Sequence, residues 1–191
     1  MRLTVAGTVV VGFFVLAAFL PRASSTDAAA LYTATAVDAS NGGGGPVELV
    51  IDRWSTEAEG DRLLETLGGE GVDALDRALK VMPRVGYIRT NDALRFDLRY
   101  AHRFFGEGAG EHVVLATERR TDLWQSPDLP RSVGDALTVI ELRLNKDGKG
   151  EGKLWLVTGV TADRARGTMR LELYDLQPAL LQRVERAHGQ R

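Results

Sequence analysis

The stretch Leu137–Val157, LTVIELRLNKDGKGEGKLWLV, decides the fold. Its first half alternates apolar Ile140, Leu142 and Leu144 with charged residues, which is the period of a half-buried strand. The NKDG at 145–148 is a turn signal, because Asn and Asp bond their own backbone and glycine accepts a positive φ. The stretch is therefore predicted to form a long β-hairpin.

The register of this hairpin follows from its turn. A type I turn with Gly148 as a G1 bulge pairs Asn145 with Lys149. Counting outward places opposite charges across from each other on the polar face: Arg143 with Glu151, and Glu141 with Lys153. Such cross-strand pairs contribute about 0.2–1 kcal/mol each, and a slip of one residue would turn every side chain over. We expect this register in the folded protein.

Two glycines mark the apolar face of the hairpin. Gly150 and Gly152 lie opposite Leu144 and Leu142, and strand glycines leave room for a helix, another backbone or a ligand. Helix packing or a sharp bend of the sheet is the simpler interpretation. A calcium loop is excluded, because its first and twelfth positions, which need carboxylates, would fall on Arg143 and Leu154.

The amino end is predicted to be a secretory signal. Arg2 supplies a short positive start, an apolar run spans 5–20, and Pro21 precedes small residues at 23–25. The expected organisation is a signal peptide over 1–25, a linker over 26–30 and a single α+β domain over 31–191. The run is near the minimum length for spanning a bilayer, so an uncleaved membrane anchor is the alternative. We expect a periplasmic or extracellular location in a bacterium.

Charge and cysteine content narrow the function classes. The formal charge is −2, and removal of residues 1–25, which carry Arg2 and Arg22 and no acid, makes it −4. No basic stripe stands out, which argues against nucleic acid as a partner. The chain has no cysteine, so an exported domain of this kind must rely on its core. This suits a bacterial envelope protein.

The region before the hairpin contains both strands and helices. Strands are predicted over 31–38 and 47–54, separated by the glycine-rich loop 41–46. A helix then begins near Ser55 with a Thr56–Glu59 capping box, and a second helix over 72–81 is stopped by a proline.

Strands are next predicted over 85–89, 93–104, 111–119 and 168–174. The segment 178–186 admits a short helix or a strand, and the preceding meander favours a strand. In 93–104 the alternation puts six residues on one inward face: Leu94, Phe96, Leu98, Tyr100, His102 and Phe104. The predicted fold is therefore α+β: a strongly curved antiparallel meander sheet or partial β-barrel, with an αα-hairpin inserted after the second strand.

Three segments carry a family resemblance: IDRWSTEAEGDRLL at 51–64, PRVGYIR at 83–89 and LNKDGKGEGKL at 144–154. Together they resemble an exported bacterial family of unknown function. The resemblance covers most of the mature chain and supports a strand at the carboxyl end. It implies no activity and no site residue.

Catalytic and metal-binding patterns are weak. Pairing Arg103 with His112 in a short turn would set His102 and His112 on opposite faces, so a metal or acid–base pair is not expected there, and His102 is expected to be packed. No G-x-S-x-G occurs, and no spacing selects a carboxylate pair. The sequence therefore predicts no catalytic residue, no metal site and no cofactor, and it favours a protein that is not an enzyme.

The remaining candidates are mostly aromatic. A curved sheet under a helical cover, with the Trp-bearing loop 121–135 as a flap, would be able to enclose an apolar or amphipathic ligand. The candidate ligand-binding residues are Trp124, Tyr100, Phe104, His102, Gly150 and Gly152. The simpler interpretation is that Trp124 pins its loop to the core.

These observations favour an exported envelope protein that binds a small lipophilic ligand or a protein partner without catalysis. Membrane contact is expected only through an uncleaved N-terminal segment. One alternative is a hydrolase with a site of scattered polar residues, which two buried carboxylates in one pocket or a Ser–His pair would favour. Another is a structural subunit of an envelope assembly, which a long exposed edge strand would favour.

Overall fold

A computed structural model describes eight ranges of the chain: 29–37, 44–67, 71–90, 95–105, 110–118, 137–163, 168–173 and 178–187. The strands are β1 Ala30–Val37, β2 Gly44–Ile51, β3 Gly86–Thr90, β4 Arg95–Leu98, β5 Tyr100–Phe105, β6 Glu111–Thr117, β7 Leu137–Leu144, β8 Lys149–Asp163, β9 Thr168–Leu173 and β10 Ala179–Arg186. The helices α1 Glu57–Leu67 and α2 Gly71–Val81 lie between β2 and β3 and pack against each other. No helix in these ranges is long and apolar enough to cross a membrane.

The sheet is antiparallel, nearly closed and barrel-like. Its strand order is β4-β3-β2-β1-β10-β8-β7-β6-β5, and β9 pairs with β8 beside this path. The two ends of the order, β4 and β5, are consecutive in the chain. At their junction, Arg99 N donates a hydrogen bond to Ala116 O at 2.9 Å. One length of chain therefore pairs with β3 in its first half and with β6 in its second, and so brings the two ends of the sheet together.

This junction corrects one prediction. The segment 93–104 was expected to be a single strand with Leu98, Tyr100 and His102 on the same inward face. Instead the ladder is interrupted at Arg99, and the extra residue inverts the alternation, as in a β-bulge. Leu98 and Ala101 are fully buried in the interior, whereas Tyr100 packs into the cluster on the outer face. Tyr100, His102 and Phe104 thus face outward, contrary to the expectation.

The interior is filled by alternate residues of the strands. The inner cluster comprises Ala30, Tyr32, Ala34, Ala36, Val47, Leu49, Ile51, Val85, Ile88, Leu98, Ala101, Val113, Leu115, Ile140, Leu142, Leu144, Leu154, Ala179, Leu181 and Val184. None of these residues is more than 7% exposed. These side chains form a closely buried core along the inner face of the described strands.

A second cluster lies on the outer face, under the helices. It brings Leu63 of α1 and Leu75 and Leu79 of α2 against Trp155 and Val157 of β8. The helices therefore cover the outside of the sheet.

The hairpin of β7 and β8 has the predicted register. Asn145 N donates to Lys149 O at 2.8 Å, and Gly148 N donates to Asn145 O at 3.0 Å. Gly148 has φ 71°, which a residue with a Cβ rarely adopts. Outward from the turn, Arg143 faces Glu151, and Glu141 faces Lys153. The last strand is also confirmed, because residues 179–186 form β10 and pair with β1 and β8.

The strand glycines face the interior, where the neighbouring backbone fills the space beside them. A Cβ at Gly150 would lie 1.9 Å from the carbonyl oxygen of Arg143, and one at Gly152 would lie 2.7 Å from that of Glu141. On the other side of β8, β10 has an irregular register at Arg183, whose φ is 53°. The glycines therefore permit a close approach of the β7 backbone, where a side chain would not fit.

The start of α1 has the predicted capping box. Glu59 N donates to Thr56 Oγ1 at 3.2 Å, and Thr56 N donates to Glu59 Oε2 at 2.8 Å. Arg53 adds a bidentate ion pair to the Glu59 carboxylate, with distances of 2.8 and 2.9 Å. The Arg53 hydrogen bond holds the pKa of Glu59 well below its ordinary value, at about 2.

We expect Gly150→Ala to lower the free energy of unfolding by about 2–4 kcal/mol, because the new methyl group meets backbone that cannot move without disturbing the ladder. Urea unfolding measures this. Glu151→Ala, at an exposed neighbouring position, is the control and should change little. An unchanged midpoint for Gly150→Ala would contradict this close approach of the backbone.

We expect Glu59→Gln to lower the free energy of unfolding by about 1–2 kcal/mol at pH 7. Because folding lowers the pKa of Glu59 from 4.5 to about 2, its carboxylate stabilises fully above pH 4.5 and progressively less as the pH falls towards 2. The difference in unfolding free energy between wild type and variant should decrease as the pH falls from 4.5 towards 2. Urea unfolding at a series of pH values measures this. Asp61→Asn, on the exposed side of α1, should show no comparable difference at pH 7.

Candidate functional site

The structure divides the predicted ligand-binding residues between the two faces of the sheet. Tyr100, His102 and Phe104 follow each other along the outer face of β5, whereas Gly150 and Gly152 face the interior from β8. Trp124 lies outside the described residues. The predicted site therefore does not form one pocket from its described members, and only the three aromatic residues of β5 come together.

His112 joins these three residues. The β5–β6 register pairs Phe104 with His112 and Arg103 with Val113, one residue away from the predicted pairing. His102 and His112 therefore share the outer face, and the expectation that they lie on opposite faces is wrong. The ring of Phe104 stands beside both, with centroid distances of 4.4 Å to His102 and 5.8 Å to His112. Tyr100 stacks on the far side of His102 at 6.2 Å.

We call Tyr100, His102, Phe104 and His112 the aromatic strip. Its members are partly exposed rather than buried. At one end α1 crosses it, since a Cβ on Gly60 would lie 3.4 Å from Tyr100 Oη. Burial, with Asp61 and Glu59 nearby, raises the pKa of Tyr100 to about 12, so the phenol stays neutral. Burial also lowers the pKa of His102, partly offset by Glu57, which favours a neutral imidazole.

The other end of the aromatic strip is charged. His112 Nε2 lies 2.7 Å from Glu141 Oε1, and Arg143 Nε donates to the same oxygen at 2.8 Å. Burial alone would raise the pKa of Glu141, but the hydrogen bonds from His112 and Arg143 outweigh it, and the pKa is lowered. The Arg143 side chain is 70% exposed, so this end presents a carboxylate-bound guanidinium to solvent.

A separate polar group lies inside the barrel. Tyr32 Oη donates to Glu111 Oε1 at 2.9 Å, and Arg103 and Arg186 approach the same oxygen at 3.4 and 3.5 Å. Tyr32, Arg103, Glu111 and Arg186 form what we call the interior polar cluster. Burial, followed by the Glu111 charge, raises the pKa of Tyr32, so its hydroxyl remains a donor.

The interior polar cluster sits near aromatic rings. The Arg103 guanidinium carbon is 4.8 Å from the ring centroid of Trp54 and 4.9 Å from that of Phe105. Phe105 is 65% exposed. Sequence reasoning missed this cluster, because Arg103 was assigned to a polar outer face. The available signal was the alternation of Glu111 with Val113 and Leu115, which places Glu111 inside.

The described residues hold little that would support hydrolysis. Three of their acids are buried, and they lie apart: Asp76 pairs with Lys80 on α2, Glu111 is inside the barrel, and Glu141 is on its outer face. Ser55 accepts a hydrogen bond from Ala101 N at 3.0 Å. Within the same ranges, no group of three His, Asp or Glu residues is placed to hold a metal ion.

Comparisons of the chain with protein-family models, curated proteins and solved structures find no match. The resemblance of residues 51–64, 83–89 and 144–154 to an exported family stays a prediction. Functional inference therefore depends on the geometry of the aromatic strip and of the interior polar cluster.

We expect Glu111→Gln to lower the free energy of unfolding by about 3 kcal/mol, because it removes the carboxylate that Arg103 and Arg186 approach inside the barrel. Thermal and urea unfolding at pH 7 measure the loss. Glu185→Gln makes the same charge change in an exposed ion pair with Lys149 and should have little effect. Equal losses in both variants would show that burial of Glu111 contributes nothing.

Proposed function

We propose that this chain is an exported, non-catalytic binding protein whose aromatic strip contacts a protein partner. The observation that carries the proposal is a row of four partly exposed rings on one sheet face, bordered by α1 and by Arg143. Aromatic and arginine side chains are enriched at protein interfaces, because they bury a large area at a small entropy cost. The buried core along the inner face of the described strands supports the choice of a partner over a ligand enclosed in the barrel.

The helices have a defined place in this proposal. We infer that α1 and α2 act as one helical hairpin, inserted after β2, which fixes the border of the aromatic strip. Gly60 of α1 approaches Tyr100, while Leu75 and Leu79 of α2 anchor the pair on β8. The partner would then meet a rigid surface, which reduces the entropy lost on binding.

A small amphipathic ligand is the second candidate, favoured by the interior polar cluster. Arg103 lies between Trp54 and the exposed ring of Phe105, so apolar and charged groups are available side by side. Such a ligand would lie against the end of the barrel and not within it. The predicted contribution of Gly150 and Gly152 to ligand binding finds no support in the crowding around them.

A photo-cross-linking amino acid at position 104 tests the partner proposal in cells that produce the full-length chain. We expect one adduct of defined mass, and none from the same group at position 180, which is an exposed apolar site on β10. Added unlabelled wild-type protein should reduce the amount of adduct by competing for the partner. A Phe104→Ser chain should need an at least about tenfold higher concentration for the same reduction.

Unfolding midpoints for both labelled chains and for Phe104→Ser establish that they are folded. Equal adducts at positions 104 and 180, or equal competition by Phe104→Ser, would refute the proposal. Native mass spectrometry of the purified protein tests the second candidate, a small amphipathic ligand. A retained lipid that is lost in Phe105→Ser, together with no adduct at position 104, would replace the partner with a ligand.

A further inference from the structure

The residues of the interior polar cluster carry an excess of positive charge. Two guanidiniums, those of Arg103 and Arg186, approach one carboxylate, that of Glu111. Burial raises the pKa of Tyr32, so its hydroxyl adds no charge. The formal charge of the cluster is therefore +1, from two arginines against one glutamate. This excess lies in a largely buried position, where solvent screens charge weakly, so the cluster attracts an anion.

The contacts within the cluster show which kind of anion its donors accept. The Tyr32 hydroxyl and the Nη1 atoms of Arg103 and Arg186 converge on a single carboxylate oxygen, Glu111 Oε1. Both guanidinium distances, 3.4 and 3.5 Å, are longer than the ~2.7–2.9 Å of a strong charge-assisted bond. A guanidinium presents several N–H donors in a planar fork, so Arg186 is able to bind a second carboxylate beside that of Glu111.

Arg186 connects the cluster with the solvent. Its side chain is 33% exposed, whereas those of Arg103 and Glu111 are 8% and 6% exposed. The backbone of Arg186 is fixed by the turn of the β7–β8 hairpin, because its N–H donates to Gly148 O at 2.8 Å. An anion is therefore able to reach Arg186 from outside, while the deeper Arg103 stays beside Glu111.

An exposed aromatic ring borders the cluster at the same end of the strands. Phe105, Glu111 and Arg186 are terminal residues of β5, β6 and β10. The Arg103 guanidinium contacts the rings of Trp54 and Phe105, and the ring of Phe105 is largely exposed. Sites for small molecules combine an apolar wall with a few polar groups that fix the orientation of the ligand. This combination suits a molecule that joins an anionic group to an apolar chain.

We propose that this end of the barrel binds a small carboxylate amphiphile, with the carboxylate on Arg186 and the apolar chain against Phe105. The ligand and Glu111 then share the positive charge of the two arginines, and a monocarboxylate matches the excess of one charge. The inference rests on the second candidate function, a small amphipathic ligand, and adds the charge and chemical class of its polar group. It is independent of the aromatic strip and of its partner.

Isothermal titration calorimetry of the full-length chain tests the charge of the ligand with three probes of equal chain length: octanoate, 1-octanol and octylammonium. We expect octanoate to bind at least about tenfold more tightly than 1-octanol, because a hydrogen bond between two charged groups is stronger than one to a neutral hydroxyl. Octylammonium should bind more weakly than either. Equal affinities for octanoate and 1-octanol would overturn the inference and leave the amphipathic-ligand candidate in place. No binding of any probe would exclude both.

The variant Arg186→Gln, with Arg183→Gln as its control, tests the position of the carboxylate. Both changes remove an arginine of β10, but Arg183 is exposed and is not part of the interior polar cluster. We expect Arg186→Gln to weaken octanoate binding about tenfold and to change 1-octanol binding little, whereas Arg183→Gln should change neither. Unfolding midpoints establish that both variants are folded. Unchanged octanoate affinity in Arg186→Gln would overturn the assignment, and the comparison of probes on the wild type does not depend on either variant.

Discussion

The barrel depends on one hydrogen-bonded junction, at Arg99. The chain reaches this residue paired to β3 and leaves it paired to β6, so the two ends of the sheet, β4 and β5, are consecutive in the chain. The guanidinium of Arg99 fixes the junction from outside, because it donates to the Glu118 carboxylate at 3.1 and 3.2 Å and to Met82 O at 3.3 Å. Closing a sheet reduces its exposed edges. Here the closure requires that Arg99 lie outside the hydrogen-bonded ladders of β4 and β5.

That residue also determines which groups face the solvent. Because alternation is inverted after Arg99, Arg103 turns inward to Glu111, and the rings of β5 turn outward. A regular strand would have buried Tyr100 and His102 and exposed Arg103. The aromatic strip and the interior polar cluster are thus two results of the same irregularity. The site on the outside and the buried charges inside cannot be altered independently of the closure.

The hairpin and the start of α1 could be predicted from neighbouring residues. The prediction of one continuous strand over 93–104 was wrong, because two strands distant in sequence decide the geometry there. Asn145, Gly148 and the opposed charges of β7 and β8 specify a register within one short stretch. The Thr56–Glu59 box likewise needs only neighbouring residues. The interruption at Arg99 has no such signature, because it arises from pairing with β3 and β6 at once. The expectation for the histidines failed separately, because it assumed that Arg103 pairs with His112, whereas Arg103 pairs with Val113.

Small residues line part of the buried core. Three alanines of β1 and two glycines of β8 face a space that larger side chains from the other strands occupy. A strongly bent sheet has a narrow interior, and bulk on every strand would force it open. Patterning alone shows which face is apolar, but it does not show whether opposing rows leave a void.

The pairing of β1 with β10 has a consequence for the order of events during synthesis. The first and last strands of the barrel are neighbours, so the sheet between them stays open until residues 179–186 are available. Contacts so far apart in sequence form slowly, since the intervening loop must first be ordered. The barrel therefore acquires its native topology only after its final segment has left the ribosome.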